Sequence, residues 1–411
     1  MKLQTILNAL LAPLVLSAPV FQDSKRYIVV FKDEMHSNWV DTHFQWLYKN
    51  LGSRRLATRS TANEAVLEER GFLNDIVGLV HRYNFNGFNG YSAHLPPFIV
   101  KLVQKLDGVA LVVEDKVRRI SDTQENVPAW GLLRISEHKK QQLADYRYEY
   151  PEKAGEGVDV YVIDSGIQVD HPEFEGRAVV GKSFVEHEGD TDFNGHGTHV
   201  AGTIGSKTYG VSKKVKLVSV KTMNGTGYGD DSDIVAAIDW VVKKVQSKGK
   251  SGSIKSVINM SLGGDASPVL DMAVKGAIDS GIVVVVAAGN SAGDACKLSP
   301  ARVPEAITVA ASDMYDQIAE FSERGTCVDL FAPGVDIVST WKNGKIESIS
   351  GTSMAAPHVA GVVALALSEK EFDKAVDVQP FLSSIGTRNV IQGDLKGSPN
   401  VLLFESVSSF H

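Results

Sequence analysis

The chain has 411 residues, 43% of them hydrophobic and 22% charged, with a formal net charge of -7. That length is too great for one average domain and suits a large domain with a small one beside it. The acidic balance offers no basic footprint for nucleic acid and no polybasic patch for a membrane, so neither is expected as a partner.

Lys2 precedes an apolar run over 6–16, broken only by Asn8 and Pro13, and Ser17 and Ala18 follow. A basic start, a short apolar run and small residues form the pattern of a secretory signal peptide, so 1–18 are expected to be removed. The run is too short to span a bilayer as an anchor. The product is expected in the secretory pathway, secreted or vacuolar.

The pattern over 27–32 predicts a strand. Ser37 can cap a helix with Trp39, Val40, His43, Phe44, Trp46 and Leu47 at helical spacing. The polar stretch 51–69, with Arg54, Arg55 and Arg59, reads as exposed chain, and 72–80 is apolar and fits either type. Residues 80–85 and 90–95 read as a hairpin, with Asn86-Gly87 and Asn89-Gly90 as turn signals. Pro96-Pro97 opens a helix running to Leu106, Gly108 ends it, and 109–120 is a last strand. Strand–helix–hairpin–helix–strand is a small α+β sandwich of the split βαβ kind. Thr123 to Asn126 reads as a linker, and Ala129-Trp130-Gly131-Leu132 begins a second domain. The expected division is therefore 1–18, 19–125 with its folded part at about 26–120, and 126–411.

In the second section, apolar runs at 158–163, 217–221, 257–260, 282–287 and 307–310 alternate with helical patterns at 197–205, 232–248 and 268–280. This alternation predicts an α/β domain: a parallel sheet with helices on both faces and ligands at the carboxyl ends of the strands. Asp164 ends the first of these strands, and His196 lies in N-G-H-G-T-H-V-A-G at the start of a small-residue helix. Asn290 ends A-A-G-N, and Ser353 lies in G-T-S-M-A-A-P-H before a stretch, 359–367, that is apolar on every face. Ser353 at a helix start would have free N–H groups and the positive end of the helix dipole beside it. Gly351 would allow close approach of backbone, and Pro357 falls within or just past the first turn.

Each residue alone has a plainer reading. Ser353 could be a helix cap and Asn290 a turn residue. Asp164 could be a cap or a ribose-binding acid, although no G-x-G-x-x-G follows its strand. His196 with His199 could be a metal pair, although the helical Glu of a zinc protease is missing. Together they supply an acid, a base, a nucleophile and an amide donor in the order Asp…His…Ser, the set that acyl transfer requires. In that reading Ser353 attacks a carbonyl carbon, His196 takes and returns the proton, Asp164 fixes the imidazole tautomer, and Asn290 with the Ser353 N–H holds the oxyanion.

Cys296 and Cys327 are the only cysteines. An even count in a secreted chain suggests a disulfide, which would close a loop of about 30 residues and be worth roughly 3–4 kcal/mol in the chain-entropy model; two separate buried thiols are the alternative. Two sequons, Asn224-Gly225-Thr226 and Asn259-Met260-Ser261, fall in a cleft and on a buried strand, and neither is expected to be modified.

The runs V-I-D-S-G-I, N-G-H-G-T-H-V-A-G and G-T-S-M-A-A-P-H-V-A-G resemble those of the subtilisin-like serine proteases, most closely the fungal proteinase K and cerevisin branch. Ser165 stands where Thr is commoner, and Ala356 where Ser or Thr is common. The resemblance implies a subtilisin-like parallel sheet preceded by a small ferredoxin-like inhibitory propeptide, with maturation between about Ile120 and Val127. It makes Asp164, His196 and Ser353 the triad and Asn290 the oxyanion donor. It implies that a peptide substrate is added as a strand between Gly225-Thr226-Gly227-Tyr228-Gly229 and Ser261-Leu262-Gly263-Gly264. Ala287, Ala288 and Gly289 would line the main specificity pocket, favouring apolar or aromatic residues before the cut. It also implies a Cys296–Cys327 disulfide, no cofactor for catalysis, and a structural calcium ion held by Pro304, Ala306 and Asp329. Expected partners are protein and peptide substrates and the chain's own propeptide, with the enzyme a monomer. A catalytically silent member of the same fold is the alternative function.

Overall fold

Residues 24–32, 37–47, 79–85, 88–115, 121–139, 147–248, 254–405 and 407–410 are described by a computed structural model. The chain divides into two units, Met1–Arg119 and Ile120–His411. The expected signal peptide, the polar stretch 51–69 and most of 72–80 lie outside the described residues.

In the first unit, β1 (Lys25–Phe31), α1 (Ser37–Leu47), β2 (Leu79–Phe85), β3 (Phe88–Leu95), α2 (Pro97–Val103) and β4 (Val109–Glu114) follow one another. The strands form one antiparallel sheet in the order β2-β3-β1-β4, the expected split βαβ arrangement. Alternation along β1 buries Val29 and Phe31 with Phe44 and Leu47 of α1, Tyr91 and Leu95 of β3, and Ile99 and Val103 of α2. Asn89-Gly90, expected as a turn, is instead inside β3, where Gly90 pairs with Val30 on one side and Tyr83 on the other. A Cβ at Gly90 would lie 2.2 Å from the Val29 carbonyl oxygen, so the glycine serves close strand approach rather than reversal. The other signal, Asn86-Gly87, lies outside the described residues.

The second unit begins with β5 (Ser121–Gln124), β6 (Tyr148–Pro151) and, between them, α3 (Trp130–Ile135). β5 pairs antiparallel with β6, so the first half of the stretch read as a linker, Thr123 and Gln124, is strand, and Glu125 and Asn126 follow it as a bend. Then come β7 (Asp159–Asp164), β8 (Ala178–Ser183), α4 (His196–Gly205), β9 (Lys216–Lys221), α5 (Asp231–Ser247), β10 (Ser256–Met260), β11 (Gly264–Asp265), α6 (Pro268–Asp279), β12 (Val283–Ala287), β13 (Leu298–Ser299), β14 (Ile307–Ser312), β15 (Leu330–Pro333), β16 (Ile337–Trp341), β17 (Lys345–Ile349), α7 (Thr352–Glu369), α8 (Val378–Ile385), β18 (Thr387–Arg388) and β19 (Val401–Leu402). The main sheet runs β18-β19-β15-β14-β12-β10-β7-β9-β8 and is parallel except for the β18–β19 pair. β7, β10, β12 and β14 are buried almost throughout, as strands covered on both faces must be.

α7 crosses the middle of this sheet, packed on β10, β12, β14 and β15. Every residue from Met354 to Ser368 is buried. Its Val and Leu side chains each contribute about 1.5–3 kcal/mol by leaving water, which fixes the helix, and with it Ser353, on the sheet. Pro357 is the sixth residue of α7, just past the first turn. An N–H there would have paired with the Ser353 carbonyl; that carbonyl accepts the Ser261 hydroxyl instead, at 2.8 Å. Cys296 and Cys327 are joined by a disulfide, Cα atoms 5.3 Å apart.

His43 of the first unit is buried, stacked on Trp39 and edge-on to Phe31, with Nε2 3.1 Å from the Tyr91 hydroxyl. Burial pushes its pKa down to about 4. The folded unit therefore holds it neutral while the unfolded chain protonates it below about 6.5, so stability is full above that pH and is lost as pH falls toward 4. The loss comes to about 3 kcal/mol at 1.36 kcal/mol per unit. Hydrogen exchange on the full chain should show amides of β1 and β3 losing protection over that window, and His43→Leu should flatten the dependence.

Candidate active site

β7 ends at Asp164, whose carboxylate is 2% exposed. His196 opens α4, and its Nδ1 lies 2.8 and 3.0 Å from the two Asp164 carboxylate oxygens. A carboxylate only accepts, so Nδ1 carries the hydrogen and Nε2 is left as the basic nitrogen. The approach depends on Gly197: a Cβ there would lie 2.1 Å from the Gly166 carbonyl oxygen and 3.1 Å from Asp164 Oδ1. Burial of the imidazole is the largest single influence on its pKa and opposes the charge. The Asp164 charge and hydrogen bond, together with the Asp192 charge, outweigh it and hold the pKa above the ordinary histidine value.

Ser353 is the second residue of α7, where N–H groups have no partner within the helix. Its hydroxyl donates to the Ser261 carbonyl at 3.0 Å, while the Ser261 hydroxyl donates to the Ser353 carbonyl. Asn290 Oδ1 accepts from Thr352 N at 2.8 Å and from the Thr352 hydroxyl at 2.9 Å, which orients the amide. A Cβ built on Gly351 would lie 3.6 Å from Ser353 N and 3.7 Å from Asn290 Nδ2, so the two donors border the space that this glycine leaves open. Two such nitrogens around one space are what an oxyanion would require.

One groove is lined by Asp164, Ser165, Asn194, His196, Met223, Gly227 and Ser261 to Gly263, so the two expected substrate edges share it with the histidine. The two edges differ in form. Ser261 to Gly263 follow β10 as open chain, while Gly264 is already paired with Ser299. Gly225 to Gly229 form a turn rather than a strand. Asn224 Oδ1 accepts from Thr226 N, the Thr226 hydroxyl and Tyr228 N at 2.9, 2.6 and 3.1 Å, and Gly227 N donates to the Asn224 carbonyl. Tyr228 stands 76% exposed at its tip. Ala287 and Ala288 are buried at the end of β12, and Gly289 N donates to the Thr352 hydroxyl at 3.1 Å.

Asp192 was not singled out from the sequence, yet it joins the parts of this site. It is 4% exposed. Its Oδ1 accepts from the Ser165 hydroxyl, Asn194 N and Gly195 N at 2.9, 3.0 and 2.8 Å, and its Oδ2 from Thr198 N and the Thr198 hydroxyl at 2.9 and 2.7 Å. The Ser165 hydroxyl also accepts from Gly197 N at 2.9 Å. The turn after Asp164 and the start of the His196 helix are thus fastened to one carboxylate. The signal in the sequence was the spacing Asp192-Phe193-Asn194-Gly195, in which an Asp can accept the N–H groups two and three residues on.

His199 does not join His196 as a metal pair: it is buried, Nε2 lies 2.9 Å from the Ile337 carbonyl oxygen, and burial pushes its pKa down to about 4. Among the described residues no group of three or more His, Cys, Asp or Glu is arranged to hold a metal ion. Asp329 accepts from Thr308 N at 2.8 Å and Gln379 Nε2 at 3.1 Å, both neutral donors, and burial raises its pKa to about 6.

Residues 155–389 match the Subtilase family, and residues 26–121 match Peptidase inhibitor I9. The chain is 42% identical to the subtilase-type proteinase psp3 of Schizosaccharomyces pombe over 95% of this chain and 84% of that protein. It is 40% identical to the subtilisin-like serine protease Cla h 9.0101 of Davidiella tassiana over 87% and 71%. A crystal structure of a cold adapted subtilisin-like serine proteinase superposes with a TM-score of 0.62 at 46% identity, covering 67% of this chain and 97% of that one.

Asp192→Asn removes a negative charge that favours the His196 imidazolium, so His196 should titrate at a lower pH than in the parent chain. NMR titration of the imidazole C–H signals in a Ser353→Ala background measures this, and an unmoved midpoint would contradict it.

Proposed function

We propose that this chain, which belongs to the subtilase family of serine proteases, is a zymogen whose second unit cuts peptide bonds with Ser353 as nucleophile, His196 as base and Asp164 as orienter. The observation that carries the reading is the carboxylate–imidazole pair in a groove that Ser261 also lines, with the hydroxyl of the helix-start Ser353 resting on the Ser261 carbonyl. The Ser353 hydroxyl turns from the Ser261 carbonyl to Nε2 of His196 and attacks the carbonyl carbon of the substrate, its proton passing to Nε2. The oxyanion is held by Ser353 N–H and Asn290 Nδ2. The tetrahedral intermediate expels the amine, which takes the proton from His196, and water then releases the acyl group by the same steps. No cofactor is needed for this chemistry.

The first unit is the Peptidase inhibitor I9 section, and we infer that it restrains the enzyme until it is cut away. The strand pairing of Ser121 to Gln124 with β6 favours a cut on the Ile120 side of the expected window, leaving β5 in the mature enzyme. The small residues Ala287, Ala288 and Gly289, with Leu298 beside Gly289, support a pocket for apolar or aromatic residues before the cut. No helix of the described residues is long and apolar enough to cross a membrane; the signal-peptide pattern at 1–18 is what supports secretion or vacuolar delivery.

For calcium, the three expected donors are all oxygens, the kind of ligand this ion takes. Asp329 is a carboxylate with only neutral hydrogen-bond donors, and the backbone carbonyls of Pro304 and Ala306 would add hard oxygens. The ion would neutralise Asp329 and tie the approach to β14 to that of β15, a structural role only.

The test of the main reading is to purify the active form, sequence its amino terminus and treat it with a serine-directed fluorophosphonate. Labelling at Ser353 and a start near Ile120 are expected, and an unlabelled Ser353 after loss of the first unit would sink the enzyme reading. Asn290→Ala should lower kcat by about 10²–10³, the cost of removing the equivalent donor from subtilisin. At a calcium concentration 100 times its Kd, the ion should add about 2.7 kcal/mol of stability. Thermal unfolding in calcium against EGTA reads this, and Asp329→Asn should abolish the difference.

A further inference from the structure

The turn Gly225 to Gly229 on one side of the groove is anchored by an ion pair between a buried lysine and a part-exposed glutamate. Lys221, the last residue of β9, pairs in register with Asp164 and is 1% exposed. Its ammonium donates to the Ser165 carbonyl at 2.7 Å and the Met223 carbonyl at 3.0 Å, and lies 3.1 Å from Glu188 Oε2. A buried ammonium is tolerated when its three hydrogens all find acceptors, and here two carbonyls and one carboxylate receive them. Glu188 in turn accepts the Gly225 N–H with both carboxylate oxygens, at 2.9 and 3.1 Å. That bond, ahead of the Lys221 contact, holds the Glu188 carboxyl below its ordinary range. The Gly225 carbonyl accepts from Asn194 Nδ2 at 3.2 Å. The turn is therefore referenced, through Glu188 and Lys221, to the backbone that follows Asp164.

We propose that Glu188, held by Lys221, is a positioning residue that sets the place of the Gly225–Gly229 turn and thereby the affinity for substrate residues on the amino-terminal side of the cut. The proposal rests on the reading of this groove as a peptide cleft. Without Glu188 the turn keeps its own Asn224 hydrogen bonds and shifts as a body. Neither Ser353 nor His196 touches Glu188, so the chemical step is spared. The loss falls on KM, and only for substrates long enough to reach the turn.

The experiment compares a capped single-residue amide with a capped tetrapeptide amide carrying the same residue before the cut, on the mature enzyme. Glu188→Ala should raise KM for the tetrapeptide about tenfold, the effect of one hydrogen bond to a charged group, with kcat within about twofold and the short substrate unaffected. Glu188→Gln, which keeps an oxygen for the Gly225 N–H but loses the charge, should show a smaller rise of the same kind, about threefold for the tetrapeptide alone, and it answers the question by the same ratio should the alanine variant not fold. Equal changes for both substrates, a fall in kcat at constant KM, or no change in either variant would overturn the proposal. Failure of the parent enzyme to hydrolyse either peptide would instead remove the peptide-cleft reading on which it rests.

Discussion

Asp192 is the constraint on which the geometry of the site depends. A buried carboxylate with unmet oxygens would destabilise the fold, whereas one whose oxygens accept several hydrogen bonds is held rigidly in place. Here five donors come from Ser165, Asn194, Gly195 and Thr198. They belong to the turn after β7, the loop before α4 and the first turn of α4. The aspartate and histidine of the site therefore sit on segments clamped to the same group. The serine and the amide donor are held by another device, the packing of α7 across the sheet and the two Thr352 hydrogen bonds to Asn290.

The sheet was legible because its strands are short apolar runs. Val257 to Met260 and Val283 to Ala287 lie in the middle of a parallel sheet, and burial on both faces leaves no polar alternation to confuse the reading. The residues of the site were legible because each lies in a contiguous run of small residues at a strand end or helix start. Asp192 was not, because it shares an acidic stretch with Glu186, Glu188 and Asp190, and sequence alone does not tell which acid the fold buries. β5 was misread for a related reason. Its partner β6 starts more than twenty residues later, so nothing local marks Ser121 to Gln124 as paired. Asn89-Gly90 carries the signature of a turn, but tertiary approach of β1 gave the glycine a different use. Gly225 to Gly229 were expected as a substrate edge on the strength of the resemblance alone; its glycines permit strand or turn, and the deciding bonds come from Asn224 and Glu188.

The two units respond to acid through buried histidines of the same kind. His43 lies in the first unit, and His199 and His358 in the second, each buried and pushed down to about 4. Burial pushes Asp329 up to about 6 and raises Glu405 well above its ordinary range. In the second unit these acids become easier to accommodate as pH falls, opposing the histidines.

The reciprocal bonds between Ser261 and Ser353 have a consequence for timing. Pro357 leaves the Ser353 carbonyl without its helical partner, the Ser261 hydroxyl fills that vacancy, and the Ser353 hydroxyl rests on the Ser261 carbonyl in return. A peptide that joins the Ser261 edge brings an N–H seeking that same carbonyl. On the reading proposed above, the incoming chain would compete with the Ser353 hydroxyl for that carbonyl and turn it toward His196, so that binding of the substrate would itself free the hydroxyl to react.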